Sequence, residues 1–404
     1  MLRTLNLSLR GLWVRPGWAL VSVVLLAGGL ASGLLALLAG QQIRQAFARD
    51  QAGIDLVVGA RGDAATLVMA NLYHLQAPYG ELPMAQVHAL QQDARVAKLV
   101  PLALADNFRG YRIVGTTAEY LGLYGAAFAD GQPWRRLTQV VVGAEVARAT
   151  GMQVNNTFIA THGLQAGGDA RHKQAPLRVV GVLANCACVL DRLILTQMES
   201  VWYVHDDNMT ADDSERDGKL DAHRMVTAAL LRTADARSAA ALMASITAGP
   251  GLQAALSQTG LDHWLAALTR DSHLLCGLAA FLMLMGGICA GWMMNSAVRI
   301  QHADYALLSL LGASAARRAG LVLCQAVALA LLAGLLGLLG GHAATHWLGQ
   351  AWQARLPVRL SGAVWLPAEW LGLALTWGVV LLAAAWPARR AAQASAHALM
   401  LARA

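Results

Sequence analysis

Four stretches of this chain can each cross a bilayer, and that limits the folds open to it more than any other feature. A crossing takes roughly 20 apolar residues. The stretches run from about Trp18 to Leu38, Leu274 to Val298, Ala319 to Gly341 and Leu366 to Trp386, and their only charged residue is Glu369, near one end of the last. Lipid offers no water to backbone N–H and C=O groups, so each stretch must close its own hydrogen bonds as a helix. Composition agrees. Of 404 residues, 14% are charged and 56% hydrophobic, whereas a soluble protein has about 25% charged residues. A soluble enzyme, a disordered chain and a collagen-like chain are excluded on these grounds. The first stretch shares two traits with a cleaved signal peptide: Arg3, Arg10 and Arg15 precede it, and small residues lie from Ala36 to Gly40. Its apolar run exceeds the roughly 7–15 residues of such a peptide, so it reads as a retained span.

The formal net charge of +7 has a definite location. Residues 41–271 hold 20 Lys and Arg against 22 Asp and Glu, leaving 11 basic and 2 acidic residues for the rest of the chain. The excess therefore flanks the apolar stretches, where it reports orientation and not a nucleic-acid surface. Three Arg precede the first stretch; Arg299, Arg317 and Arg318 face only Asp304 between the second and third; Arg389, Arg390 and Arg403 follow the fourth. The rule that basic loops stay inside places these three flanks, and both termini, in the cytoplasm. Residues 41–271 and the short loop 343–364 then lie outside. The expected fold is a membrane protein with four transmembrane α-helices and a large α+β extracytoplasmic domain between helices 1 and 2. Its segments are 1–40, an N-terminal segment and first span; 41–273, the outer domain on helical stalks; and 274–404, the remaining spans with a cytoplasmic loop at 299–318.

Within the outer domain, β-branched and alternating runs predict strands at Gly53–Gly59, Ala97–Ala103, Tyr111–Gly115, Gln139–Val142, Phe158–His162, Leu177–Leu183 and Val226–Leu231. Helices are expected at Met84–Ala94, at Ala234–Thr247, and at Leu252–Ser272 leading into the second span. Gln41–Gln51 reads as a helical extension of the first. Asp55–Pro83 reads as strand, turn and helix, and the glycines around Arg61 imply no phosphate site. His205–Asp221 carries seven acidic residues against Arg216 and Lys219. It reads as a solvated loop, or as a weak cation site using His205 or His223 without EF-hand spacing.

Five cysteines are present. Cys276, Cys289 and Cys324 fall in spans and read as small packing residues. Cys186 and Cys188 lie outside, where disulfides persist. They are open to three readings: structural or incidental, redox-active or disulfide-bonded, or contacts to a soft metal or haem, which makes them the metal candidates of this sequence. On a continued strand, a bond between residues two apart would approach the upper limit of Cα spacing. His342 and His346 stand at i, i+4, a spacing that can ligate one metal from one helical face, but with no acid or Cys near them in sequence they read rather as an interfacial polar cap. No Gly-x-Ser-x-Gly elbow occurs.

The segment Arg299-Ile-Gln-His-Ala-Asp304-Tyr-Ala-Leu-Leu-Ser-Leu-Leu-Gly312-Ala313-Ser314, followed by Arg317-Arg318, resembles the cytoplasmic loop of FtsX/MacB-like (LolC/E-like, type VII) ABC transporter permeases. Pro387-Ala388-Arg389-Arg390-Ala391 is similar to the motif that ends their last span. Leu5-Asn-Leu-Ser-Leu-Arg10-Gly-Leu-Trp-Val-Arg15 is similar to their amphipathic opening. Asp304 stands where Glu is usual, Ser309 where a basic residue is frequent, and the usual tail Pro is replaced near Ala396. The resemblance implies a non-catalytic subunit of a mechanotransmitting complex in a bacterial inner membrane, its large domain periplasmic. It implies a separate cytoplasmic ABC ATPase as partner, since the chain has no Gly-x-x-x-x-Gly-Lys-Ser/Thr loop. ATP and Mg would come through that partner, with no cofactor on this chain. A homodimer or related permease, a periplasmic adaptor or substrate protein, and the bilayer complete the implied partners; nucleic acid is not among them. Coupling to the ATPase is expected through Arg299, Asp304, Leu308, Leu311, Gly312, Ala313, Arg317 and Arg318. The load would be a lipoprotein, lipid, peptide or amphiphile. Two other roles stay open, a regulatory scaffold that activates an envelope enzyme and a metal- or haem-linked membrane sensor.

Overall fold

Apolar length dictates the first level of structure. In a computed structural model describing residues 16–51, 53–163, 176–205, 224–351 and 358–394, the four stretches form helices Pro16–Asp50, Leu261–Ile300, Ala315–Ala351 and Glu369–Gln393. The first three have 35, 40 and 37 residues, well beyond the roughly 20 that a bilayer needs, so each carries turns outside the hydrocarbon. The chain divides into two compact units, Met1–Ile43 with Ala267–Ala404, and Arg44–Ala266.

The membrane unit packs Leu26, Met293, Met294, Val322, Leu329, Val380 and Ala384 into one buried cluster. Its outward face stays apolar, with Leu382 77% exposed and Leu274, Phe281 and Leu331 also uncovered. Water would penalise such a surface, whereas lipid does not. Small residues allow the close approach of neighbouring helices. A methyl on Gly29 would meet Met283 Cγ at 2.8 Å, and one on Gly337 would meet Leu30 Cβ at 2.8 Å. The last helix runs through Pro387 to Gln393. The loop expected at 343–364 begins later, because the third helix continues to Ala351.

The outer unit is built on a mixed sheet. Its strands are β1 (Leu56–Ala60), β2 (Leu82–Pro83), β3 (Val96–Phe108), β4 (Tyr111–Thr116), β5 (Phe128–Gly131), β6 (Gln139–Val142), β7 (Thr157–Phe158), β8 (Thr161–His162), β9 (Leu177–Leu183), β10 (Ile194–Gln197), β11 (Met225–Val226), β12 (Ala228–Thr233) and β13 (Leu252–Leu256). The main sheet runs β13-β1-β12-β3-β4-β10-β6-β9-β5, with β7 on β9 and β8 on β3. The 13-residue β3 joins two halves, pairing with β12 through its first part and with β4 through its second. Each half has its own core. One gathers Leu56, Val58, Leu99, Leu231 and Leu242, and the other Val140, Val142, Phe158, Val179 and Ile194.

The outer unit departs from the sequence reading in one long segment. Leu252–Ser272 was expected to be a single helix, but Leu252–Leu256 pairs antiparallel with β1 and the helix starts at Leu261. Leu, Ala and Gln are good helix formers, but propensity is a weak prior and pairing with the open edge of β1 overrides it. Phe158–His162 divides into β7 and β8. The opening Leu5–Arg15, the acidic loop after His205, and the tail with Ala396 and Arg403 lie outside the described residues.

Candidate functional site

The loop between the second and third spans folds as a helix, His302–Leu310. Tyr305 and Ala306 turn into the membrane unit's core. Asp304, Leu307, Leu310 and Leu311 face outward, with Leu311 76% exposed. The spacing of 304, 307 and 311 is that of one helical face. The helix ends as its sequence dictates. Gly312 takes φ +83, its N–H donates to Ser309 O at 3.1 Å, and Ala313 N–H donates to Leu308 O at 2.9 Å. These are the two bonds of a Schellman closure, which requires a left-handed residue just past the cap.

The eight residues expected at this contact are not placed alike. Arg299, Asp304, Leu311, Gly312 and Arg317 are exposed, and Leu308 and Ala313 are half-buried. Arg318 is different, only 8% exposed. Its guanidinium donates to Ala313 O at 2.7 Å, Ala391 O at 3.3 Å and Ala392 O at 2.6 Å. The expectation of a partner-facing arginine therefore needs correcting at this position: Arg318 ties the loop to the end of the last helix. The cause lies in the helix terminus, whose final carbonyls have no partner within the helix. Ala391, the last residue of the Pro-Ala-x-x-Ala motif, is one of the acceptors. Beside it, Arg390 donates to Asn295 Oδ1 at 3.1 Å.

At the opposite ends of the spans, His342 approaches Gly362 O through Nδ1 at 2.7 Å and Glu369 Oε2 through Nε2 at 3.1 Å. Glu369 is almost fully buried and accepts from Leu366 N–H at 2.7 Å. The histidine thus has an acid, which sequence distance concealed. His346 instead contacts Gln350, so the i, i+4 pair does not converge on one point.

In the outer unit Cys186 and Cys188 are disulfide-bonded, with Cα atoms 5.1 Å apart. Strand β9 ends at Leu183, and Ala187 between the cysteines takes φ +51. A left-handed residue brings the two Cα atoms closer than an extended strand would, which removes the geometric objection and takes both sulfurs out of the pool of metal thiolates. Asp191 Oδ1 accepts from Cys186 N–H at 3.1 Å.

Two polar groupings in this unit were not legible as such in the sequence, which offered only His205 among their members, as a weak cation ligand with other partners. The first surrounds the last turn of the Pro16–Asp50 helix. Asp50 Oδ1 accepts from Val189 N–H at 2.6 Å, Arg192 Nη2 stands 4.0 Å from Oδ2, and Tyr124 Oη donates to Asp50 O at 2.9 Å. Nearby, burial and then the charges of Arg112 and Arg192 hold the His74 imidazole well below its ordinary range. Burial and then Arg192 bring Arg112 down to about 10. The second grouping is Asp106, His162 and His205. Asp106 and His162 are directly paired across β3 and β8, 56 residues apart in sequence, and a bulge between Leu104 and Asp106 turns the acid. His205 ends the helix Met198–His205. The hydrogen bond to Asp106 raises the His205 pKa above its ordinary value, against the opposing effect of burial.

Residues 277–396 match the family described as FtsX-like permease C-terminal. Among solved structures, the chain is similar to the periplasmic region of MacB from Actinobacillus actinomycetemcomitans, at 11% identity over 53% of this chain and 94% of that one, with a TM-score of 0.34. It is also similar to the extracellular domain of the noncanonic ABC-type transporter YknZ from Gram-positive bacteria, at 14% identity over 50% and 98%, with a TM-score of 0.29. No curated protein matches the chain.

Proposed function

Taking residues 277–396 as an FtsX-like permease domain of the ABC transporter class, we propose that this chain carries force from a separate cytoplasmic ATPase to its outer domain. The observation that supports this reading most is the loop helix His302–Leu310, which is seated inward by Tyr305 and Ala306 and presents Leu307, Leu310 and Leu311 outward. Each exposed leucine left in water wastes about 1.5–3 kcal/mol of burial. A groove on the partner recovers it, while Arg299, Asp304 and Arg317 around the patch orient the contact. The helix sits directly between two spans, so pushing on it loads both.

In this reading the loop and both termini are cytoplasmic, the outer domain is periplasmic, and the chain works as a dimer in the bacterial inner membrane. ATP and Mg bind the partner. The outer domains close and open on a lipoprotein, lipid, peptide or amphiphile already beyond the hydrocarbon. Described residues in the spans hold one acid, Glu369, near the outer boundary, and an ion path would call for more such groups.

The test is co-purification with the cognate ATPase and measurement of ATP turnover in proteoliposomes. Replacing Leu307, Leu310 and Leu311 together by Ser should abolish co-purification while the permease still folds. Intact binding and unchanged turnover would sink the assignment. Extraction of labelled lipid or lipoprotein on ATP addition separates transport from a scaffold role.

A further inference from the structure

We propose that Asp106, His162 and His205 form a binding site for a borderline divalent transition-metal ion, of which zinc fits best, on the outer domain. The three atoms that meet are Asp106 Oδ1, His162 Nδ1 and His205 Nε2. They stand 3.2 Å (His162 to His205), 3.3 Å (His205 to Asp106) and 3.6 Å (His162 to Asp106) apart. Ligands about 2.0–2.2 Å from a tetrahedral zinc lie about 3.3–3.6 Å from one another. The triangle matches one face of that tetrahedron.

The His205 ring is held toward the cluster by a bond on its far side. His205 Nδ1 lies 2.8 Å from Val201 O, which can only accept, so Nδ1 carries the proton and donates. With Nδ1 committed to that bond, Nε2 donates to Asp106 when the ring is protonated and, on the neutral ring, offers its lone pair to a cation. A proton between two of the three atoms serves one pair along one line. A cation at the centre serves all three at once. The bond from Nδ1 to a backbone carbonyl is also the outer-shell contact that fixes the tautomer and ring plane of a metal-bound histidine.

Chemistry and surroundings narrow the ion. Two imidazoles and one carboxylate suit zinc and its neighbours, whereas calcium and magnesium prefer all-oxygen shells. The Asp106 side chain is 6% exposed and that of His162 56%. Among the described residues the site therefore has a buried anionic floor and an exposed side, where water can take the fourth position. The ligands come from β3, β8 and the end of the helix Met198–His205, so an ion here joins three elements that sequence keeps apart.

The experiment uses the full-length chain in detergent, stripped with a chelator and titrated with Zn2+ against a chromophoric competitor. Wild type, Asp106→Asn and His162→Gln are compared, with Ca2+ and Mg2+ as further titrants. Wild type should bind one equivalent of Zn2+ that each variant holds at least about tenfold more weakly. Co2+ in the same site should give an intense visible band of tetrahedral type, lost in both variants. His162 is exposed, so His162→Gln should unfold at the wild-type temperature without metal and lose only the Zn2+-induced rise. Equal Zn2+ stoichiometry and affinity in all three proteins would overturn the proposal, as would Ca2+ or Mg2+ binding as tightly as Zn2+.

Discussion

Arg318, one turn into the third apolar helix, donates from Nη2 to the carbonyl oxygen of Ala392 at 2.6 Å. The same fork reaches Ala391 and Ala313. One planar group thereby satisfies carbonyls from two segments of the membrane unit, and its positive charge sits at the negative end of the helix Glu369–Gln393. Its neighbour Arg317 points away from the protein. Adjacent arginines thus occupy opposite environments, and substitution should separate them.

Arg318→Ala should lower stability by about 3 kcal/mol, because buried carbonyls lose a charged donor. Arg318→Lys should recover only part, since an ammonium cannot span three acceptors in the same geometry. Arg317→Ala should leave thermal unfolding unchanged and alter ATPase turnover in the complex. Unfolding temperatures in detergent check the first pair. Equal behaviour of both alanine variants would contradict the assignment.

Gly312 closes the loop helix at φ +83. An L-residue in that region costs about 1–2 kcal/mol, so Gly312→Ala should loosen the turn between Leu311 and Ala315. Asn tolerates the left-handed region better, and Gly312→Asn should be the milder change. Proteolysis within 301–316 reports the loosening. The order Gly, Asn, Ala in protection is the expected result, and equal protection would argue against a strained cap.

Glu369 lies with Oε2 3.1 Å from His342 Nε2 and accepts from Leu366 N–H while nearly fully buried. Glu369→Ala leaves the Leu366 N–H and the His342 ring nitrogen without this partner and should cost about 1–3 kcal/mol. Glu369→Gln keeps an acceptor and should cost less. Thermal unfolding of the purified chain measures both, and an unaltered alanine variant would remove the pair from the account of stability.

His74 gives the outer domain an acid-side sensitivity. Burial first, then Arg112 and Arg192, lower its folded pKa, while the unfolded value is about 6.5. The folded state therefore stays neutral while the unfolded chain gains a proton below about pH 6.5. Stability from this group is complete above that value and is lost as pH falls beneath it, with a slope of at most about 1.4 kcal/mol per pH unit. His74→Asn suits the backbone at φ +55 and should flatten the slope between pH 7.5 and 5.5 in urea unfolding. An identical slope in the variant would exclude His74 as the source.

Much of this architecture is legible in the sequence alone. The four apolar runs locate the spans because hydropathy is summed over neighbours in sequence, and burial in lipid rewards that sum directly. Gln139–Val142 and Leu177–Leu183 were legible as strands because their β-branched runs suit a sheet interior. The loop helix was legible from its leucines and from Gly312, a residue whose absent Cβ marks a helix end. Leu252–Leu256 was misread because its composition suits a helix and its partner β1 lies almost 200 residues earlier. His342 was read without an acid for the same reason, as Glu369 belongs to the next span.

Local order in the chain therefore sufficed for the count of spans, the class of the outer domain and the position of the loop helix. Each depends on patterns within about 20 residues, where periodicity and side-chain volume act directly. Which side chains meet was decided only by the packed fold. Whether Arg318 points inward depends on where the last helix ends. Whether Asp106, His162 and His205 form a triangle depends on the β3–β8 pairing, a bulge and the end of a distant helix. Such convergence arises from contacts between remote segments, and no local pattern in the sequence encodes it.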